Sequence, residues 1–117
     1  NYADAYHNLG NVYQRAGQFD AAMGMYGKAL QINPRLWQAY QNMGALHFSK
    51  QEYASASAYM TKASELNPNS AQIQAFVGII EMNRGNKEVA RQRLQFALQL
   101  DPKMDIARQA LTELDRK

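Results

Sequence analysis

The sequence predicts an all-α protein: a stack of about seven helices arranged as antiparallel pairs. Three observations carry that prediction. Asn33-Pro34, Asn67-Pro68 and Asp101-Pro102 recur every 34 residues along a chain of 117, and a period of that length marks a repeat architecture. Registered on the prolines, small residues align as Gly10, Gly44 and Gly78, as Ala22, Ala56 and Ala90, and as Ala29, Ala63 and Ala97. Between them, large apolar residues return three and four apart, the spacing of one helical face. Composition agrees with a folded domain. Hydrophobic residues make up 46% and charged residues 20%, too apolar for a disordered chain, and a chain this long buries roughly two-thirds of its unfolded surface.

Three units, 3–36, 37–70 and 71–104, divide a single domain over 1–117, and each reads as two helices. The first helices are predicted over 4–16, 38–50 and 72–84. Gly17 and Gly85 then mark a turn that needs left-handed backbone, and Gln51 holds the same place in the middle unit at some cost. The second helices are predicted over 19–32, 53–66 and 87–100. Each stops because the residue before proline is driven out of the helical region, where Asn or Asp suits the turn. The glycine and alanine columns remove bulk where helices cross. Leu9, Met43 and Val77 form an apolar column. Tyr6, Tyr13, Phe19, Tyr26, Tyr40 and Tyr53 are predicted to fill the space between neighbouring units.

Residues 105–117 begin a fourth unit that stops after one helix. Ile106, Ala110, Leu111 and Leu114 are spaced to cover the last repeat, with Arg108, Glu113, Asp115, Arg116 and Lys117 on the other side. A repeat stack needs such a cap, because a bare end leaves apolar area in water. The chain starts close to its first helix, without an initiator Met or a leader pattern. The expectation is a piece of a longer protein in which another helix precedes it.

Several function classes find no support. The chain has no cysteine, hence no disulfide, thiolate metal site or cysteine nucleophile. No apolar run approaches the ~18 residues that span a bilayer, so direct membrane insertion is not expected. His7 and His47 stand apart, with no cysteine or acidic cluster to join them. His47 shares a column with Tyr13, which predicts an interhelical packing residue rather than a ligand or base. Glu81 and Glu88 are too isolated for paired carboxylates, and no phosphate loop, serine elbow or HExxH occurs. No catalytic residue, metal or cofactor is expected. The net charge is +3, and its local excess in Arg84, Lys87, Arg91 and Arg93 reads as a solvated helix face. A nucleic-acid binder would carry a denser basic face with interleaved aromatics, so no nucleic-acid partner is expected. Lack of cysteine suits cytosol and periplasm alike, with the cytoplasm as default.

The run Tyr6-x-x-Leu9-Gly10-x-x-Tyr13, followed by Ala22, Tyr26, Ala29 and Pro34, resembles the tetratricopeptide repeat. The resemblance covers essentially the whole chain. The first unit fits every signature column. The second departs at His47 and Met60, and the third at Gln74, Glu81 and Leu94. The resemblance implies a right-handed superhelical α-solenoid whose concave wall is built from the first helix of each unit. Such domains receive an extended peptide or partner helix there.

Carried onto this sequence, the family's groove positions are His7, Asn8, Asn11, Gln14 and Arg15 in the first unit. The second supplies Gln41, Asn42, Ala45, Phe48 and Ser49, and the third Gln72, Ala75, Phe76, Ile79, Met82 and Asn83. The wall grades from polar to apolar along the chain. Asn8 and Asn42 are equivalent in register, and a carboxamide can pair with peptide backbone of any sequence. Similar repeats in O-linked N-acetylglucosamine transferases use an asparagine ladder; here Phe76 breaks it. Co-chaperone domains of the family clamp a carboxylate with Lys, Asn and Arg. This chain has His7, Asn11, Asn42, Gln72 and Phe76 at those places, without the cations that would supply charge-assisted bonds.

Phe48, Phe76, Ile79 and Met82 predict an apolar patch on the inner wall. It could meet a peptide's side chains, the cap folding back, a second copy or simply its own superhelix. Gly24 and Gly27 sit inside a helix, where each costs about 1 kcal/mol against alanine. Close approach of another chain or drift at an exposed site would each account for them. The leading expectation is a non-catalytic module for a protein or peptide partner. A self-associating scaffold, through Phe76, Ile79 and Met82 or the Gly24/Gly27 face, is the alternative, and a substrate-docking segment of a larger enzyme the third.

Overall fold

The computed structural model describes residues 1–116; Lys117, assigned above to the cap, lies outside the described residues. Seven helices follow one another among those residues: α1 (Tyr2–Arg15), α2 (Phe19–Ile32), α3 (Trp37–Ser49), α4 (Tyr53–Leu66), α5 (Ala71–Asn83), α6 (Lys87–Leu100) and α7 (Asp105–Asp115). They stack into a body of 44 × 25 × 20 Å. The second helices of the units start and stop where the proline register places them. The first helices begin one or two residues earlier than the apolar spacing indicates. In α1 and α5 a side-chain cap fixes the start: Asn1 Oδ1 accepts from the Asp4 N–H at 3.0 Å and Ser70 Oγ from the Ile73 N–H at 3.2 Å.

The turn inside each unit has the predicted backbone. Gly17 and Gly85 stand at φ 77° and 83°, and Gln51 takes φ 61° in their place. The column of small residues is equally physical. A Cβ on Gly10 would lie 2.6 Å from the Tyr26 ring, and one on Gly78 2.7 Å from Leu94. Paired helices therefore cross at a distance that only glycine permits.

The core is a chain of three clusters. The first joins Ala22, Tyr26 and Ala29 to Ala39, Met43 and Leu46 of the next unit. The second joins Ala56, Met60 and Ala63 to Ile73, Val77 and Ile80. The third closes Ala75, Leu94 and Ala97 under Ala107 and Ala110 of α7. Tyr6, Tyr13 and Phe19 pack on the first cluster and Tyr40 and Tyr53 on the second. Tyr26 is fully buried over Gly10 of its own unit and belongs to the cluster that reaches into the next.

His47 packs between helices as its column predicts. Its ring stacks on Tyr59 of α4 with centroids 5.3 Å apart, and Nδ1 lies 2.8 Å from Glu52 Oε1.

Two expectations are corrected. Ile106 does not cover the last repeat; it is 57% exposed, and Ala107, Ala110 and Leu114 carry that contact, with Leu111 partly buried. The reason is phase: Ile106 stands one residue before Ala107 and so points about 100° away around the helix. Nor are the basic residues of the third unit simply solvated. Arg91 pairs with Asp115 on the cap, and Arg84 and Arg93 reach back to Ser57 and Ser64 of the second unit.

Candidate functional site: the face of the first helices

The first helices α1, α3 and α5 present two chemically distinct stretches. The stretch shared by α1 and α3 is a polar network. Asn42 Nδ2 donates to His7 Nε2 at 2.9 Å and to Asn11 Oδ1 at 3.0 Å. The Tyr26 hydroxyl, from beneath, lies 2.7 Å from both Asn11 Oδ1 and Gln14 Oε1, and its single proton serves one of them at a time. An imidazole that accepts at Nε2 carries its proton on Nδ1. Protonating His7 would turn the acceptor into a donor facing the Asn42 amide. Burial holds its pKa below the ordinary value of 6.5, against the opposing Asp4 charge and Gln38 backbone.

Asn42 therefore spends both amide hydrogens inside the fold. Its register partner Asn8 is exposed and forms no hydrogen bond with it. Arg15 is exposed at the end of α1, and Ala45 is half-buried. Ser49 and Asn83 bond back to their own helices, at 2.6 Å to the Leu46 carbonyl and 2.9 Å to the Ile79 carbonyl.

The stretch shared by α3, α5 and the start of α7 is a pocket of about 470 Å³. Phe48, Ala75, Phe76 and Ile79 supply apolar walls, Gln41 and Gln72 supply carboxamides, and Met104 and Ile106 close the far side. Phe48 and Phe76 meet edge to face with centroids 5.3 Å apart, the arrangement aromatic quadrupoles favour. Met82 does not line the pocket; it packs on the third cluster beside Ile79. Among the described residues no charged side chain lines it.

Six residues of the sequence-derived groove thus converge on one cavity: Gln41, Phe48, Gln72, Ala75, Phe76 and Ile79. Met104 and Ile106 were missed as functional residues. The 34-residue register could have found Ile106, since it falls in the column of Gln72. No group of three or more His, Cys, Asp or Glu side chains is placed to hold a metal among the described residues. None of the described helices is long and apolar enough to cross a membrane.

Paired helices in a strict period, crossing over small residues and closed by a polar-backed cap, define an α-solenoid repeat protein. Residues 3–36 and 38–70 each match a family model described as tetratricopeptide repeat. The chain belongs to the tetratricopeptide repeat family. No curated protein sequence matches it significantly.

Solved structures match it closely in shape. The first TPR of Spaghetti (RPAP3), bound to the HSP90 peptide SRMEEVD, is similar at TM-score 0.92 and 22% identity, over 98% of this chain and 91% of that one. The second TPR domain of human RPAP3, in complex with the HSP70 peptide SGPTIEEVD, is similar at 0.91 and 21%, over 99% and 97%. The N-terminal domain of stress-induced protein-1 from C. elegans gives 0.85 and 22%, over 97% and 94%. At these identities the likeness establishes the fold.

Proposed function

We propose that this chain is a non-catalytic protein-interaction module that takes an extended peptide or partner helix along α1, α3 and α5. The observation that carries the reading is the uncharged pocket between Phe48 and Ile106. Its size suits one large apolar side chain, and the Gln41 and Gln72 carboxamides at its edge can pair with the ligand backbone. The bound chaperone peptides of two similar domains lend support to a peptide ligand. Their acidic C-terminal sequences are not the chemistry expected here. Gln72 and Phe76 stand where a carboxylate clamp needs cations, so the ligand is recognised by an apolar anchor instead.

Peptides selected by the whole chain from a displayed random library test this. Ile106 is exposed, so Ile106→Glu leaves the fold intact while placing a charge at the pocket mouth. Selected peptides should share a large apolar residue and bind this variant at least tenfold more weakly. Equal affinity for Ile106→Glu and wild type, or a library that yields no binder, rejects the pocket.

A further inference from the structure

Taking the pocket as the binding site, on which this inference rests, we propose that its occupant is an amphipathic partner helix and not an extended peptide. The helix lies along α3 and α5 with its apolar side over Phe48, Phe76 and Ile79. The pocket has the length for it. Gln41 and Phe48 are seven residues apart on α3, as are Gln72 and Ile79 on α5, and all four line the pocket. It therefore runs for about two turns along each helix. The apolar side of a ligand helix repeats over the same two turns, with large residues three, four and seven apart.

Backbone hydrogen bonds decide between the two forms of ligand. An extended segment brings an N–H and a C=O with every residue and needs partners for those it buries. A row of free carboxamides along the first helices would supply them, but here most are spent. Asn42 gives both amide hydrogens to His7 and Asn11, and Asn11 and Gln14 face the Tyr26 hydroxyl. One repeat after Asn42 stands Phe76, which offers no hydrogen bond. Among the residues that line the pocket only Gln41 and Gln72 carry carboxamides, and both stand in the starting halves of their helices. A helix pairs its backbone internally and leaves free groups only at its ends. An apolar trough with carboxamides toward one end is complementary to that pattern. The glutamines take the free groups of the ligand's terminal turn, and the phenylalanines take its side. With no charged side chain lining the trough among the described residues, a charge pressed into it would find no partner. The inserted side of the ligand is therefore apolar, with its charges confined to the outer face.

The test takes the tightest peptide that the whole chain selects from the random library, synthesised with carbon-13. Bound to the unlabelled chain, the peptide should show helical Cα shifts over at least about two turns. Proline at a central peptide position where alanine is tolerated should weaken binding about tenfold or more, because it breaks the helix without removing a contact. Ile106→Glu keeps the two readings apart. Extended Cα shifts, or tolerance of the proline, in a peptide that Ile106→Glu still weakens overturn the helix and leave the pocket standing. A peptide that Ile106→Glu does not weaken removes the pocket, and the helix falls with it.

Discussion

The junction between the first and second units and the junction between the second and third are built on one backbone plan with opposite chemistry. At the first junction the back is apolar. Met23 and Leu30 of α2 pack into the cluster that holds Ala39, Met43 and Leu46, and the polar groups gather on the first-helix face around Asn42. At the second junction that face is apolar, with Phe48 against Phe76, and the polar groups lie behind. Ser57 and Ser64 occupy the positions of Met23 and Leu30, one repeat on. Ser57 Oγ donates to Glu81 Oε2 at 2.6 Å, and Asn86 Nδ2 donates to Glu81 Oε1 at 2.7 Å. Arg84 reaches both Ser57 and Glu81, at 3.1 and 3.3 Å.

Burial pushes the Glu81 carboxyl up, but the bonds from Ser57 and Asn86 and the charge of Arg84 outweigh it and hold it below the carboxylate norm. One turn-pair away, Arg93 donates to Gln74 Oε1 at 2.8 Å while Gln74 Nε2 donates to the Pro68 carbonyl at 2.9 Å. A repeat stack thus fixes shape by register while leaving each interface free to be apolar or polar. What matters is that every buried group finds a partner, and among the described residues no buried side-chain N or O lacks one.

Breaking the second junction at its centre should have the largest effect. Glu81 is only 6% exposed, and Glu81→Ala strands Ser57, Asn86 and Arg84 together. We expect a loss of about 3 kcal/mol in urea unfolding; a loss under about 1 kcal/mol would show that water replaces the carboxylate. At the first junction, Asn42→Ala leaves His7 without its donor and Asn11 with only the Tyr26 hydroxyl, for an expected cost of about 1.5 kcal/mol. Its double-mutant cycle with Asn11→Ala should give a coupling of about 1 kcal/mol, and strict additivity would dissolve the network into separate bonds.

The smallest effect separates the junctions by pH. Unfolded, His7 takes up its proton near pH 6.5; folded, it does so only at lower pH. The unfolded state therefore binds more protons in that window, and stability falls as pH drops through it. Thermal midpoints between pH 7.5 and 5.5 should decline in the wild type and flatten in His7→Gln, while Glu81→Gln leaves the slope in that range unchanged. An identical slope in His7→Gln would remove the histidine from the network.

How much of this was legible in the sequence follows from the same contrast. Helix ends, left-handed turn residues and the Gly10 column rest on register alone, and the 34-residue spacing reveals register directly. The networks rest on which side chain meets which across a junction, and a single period does not say that. Arg84, Arg91 and Arg93 read as a solvated face because the partners that tie them to other helices lie 19 to 29 residues away, outside any local pattern. A signal was present nonetheless. Ser57 and Ser64 are seven residues apart on one helix, and Gln74 and Glu81 seven apart on the next. Two polar pairs at matched spacing on facing helices announce a polar seam. The column that lines the pocket was legible as far as α5 and was lost at Ile106, because the single helix of the fourth unit reads only as a cap.

The Ser57–Glu81 contact also makes the units non-interchangeable. Its two halves come from different repeats, so neither unit carries the interaction alone. If the middle unit were deleted and the third joined directly to the first, the register would set Glu81 beside Met23 and Gln74 beside Leu30. The carboxylate would then be buried without the Ser57 hydroxyl that donates to it here, at a cost of about 1–3 kcal/mol. Repeats of one fold are often pictured as beads that can be shuffled. In this chain the seam chemistry writes the order of the beads into the sequence.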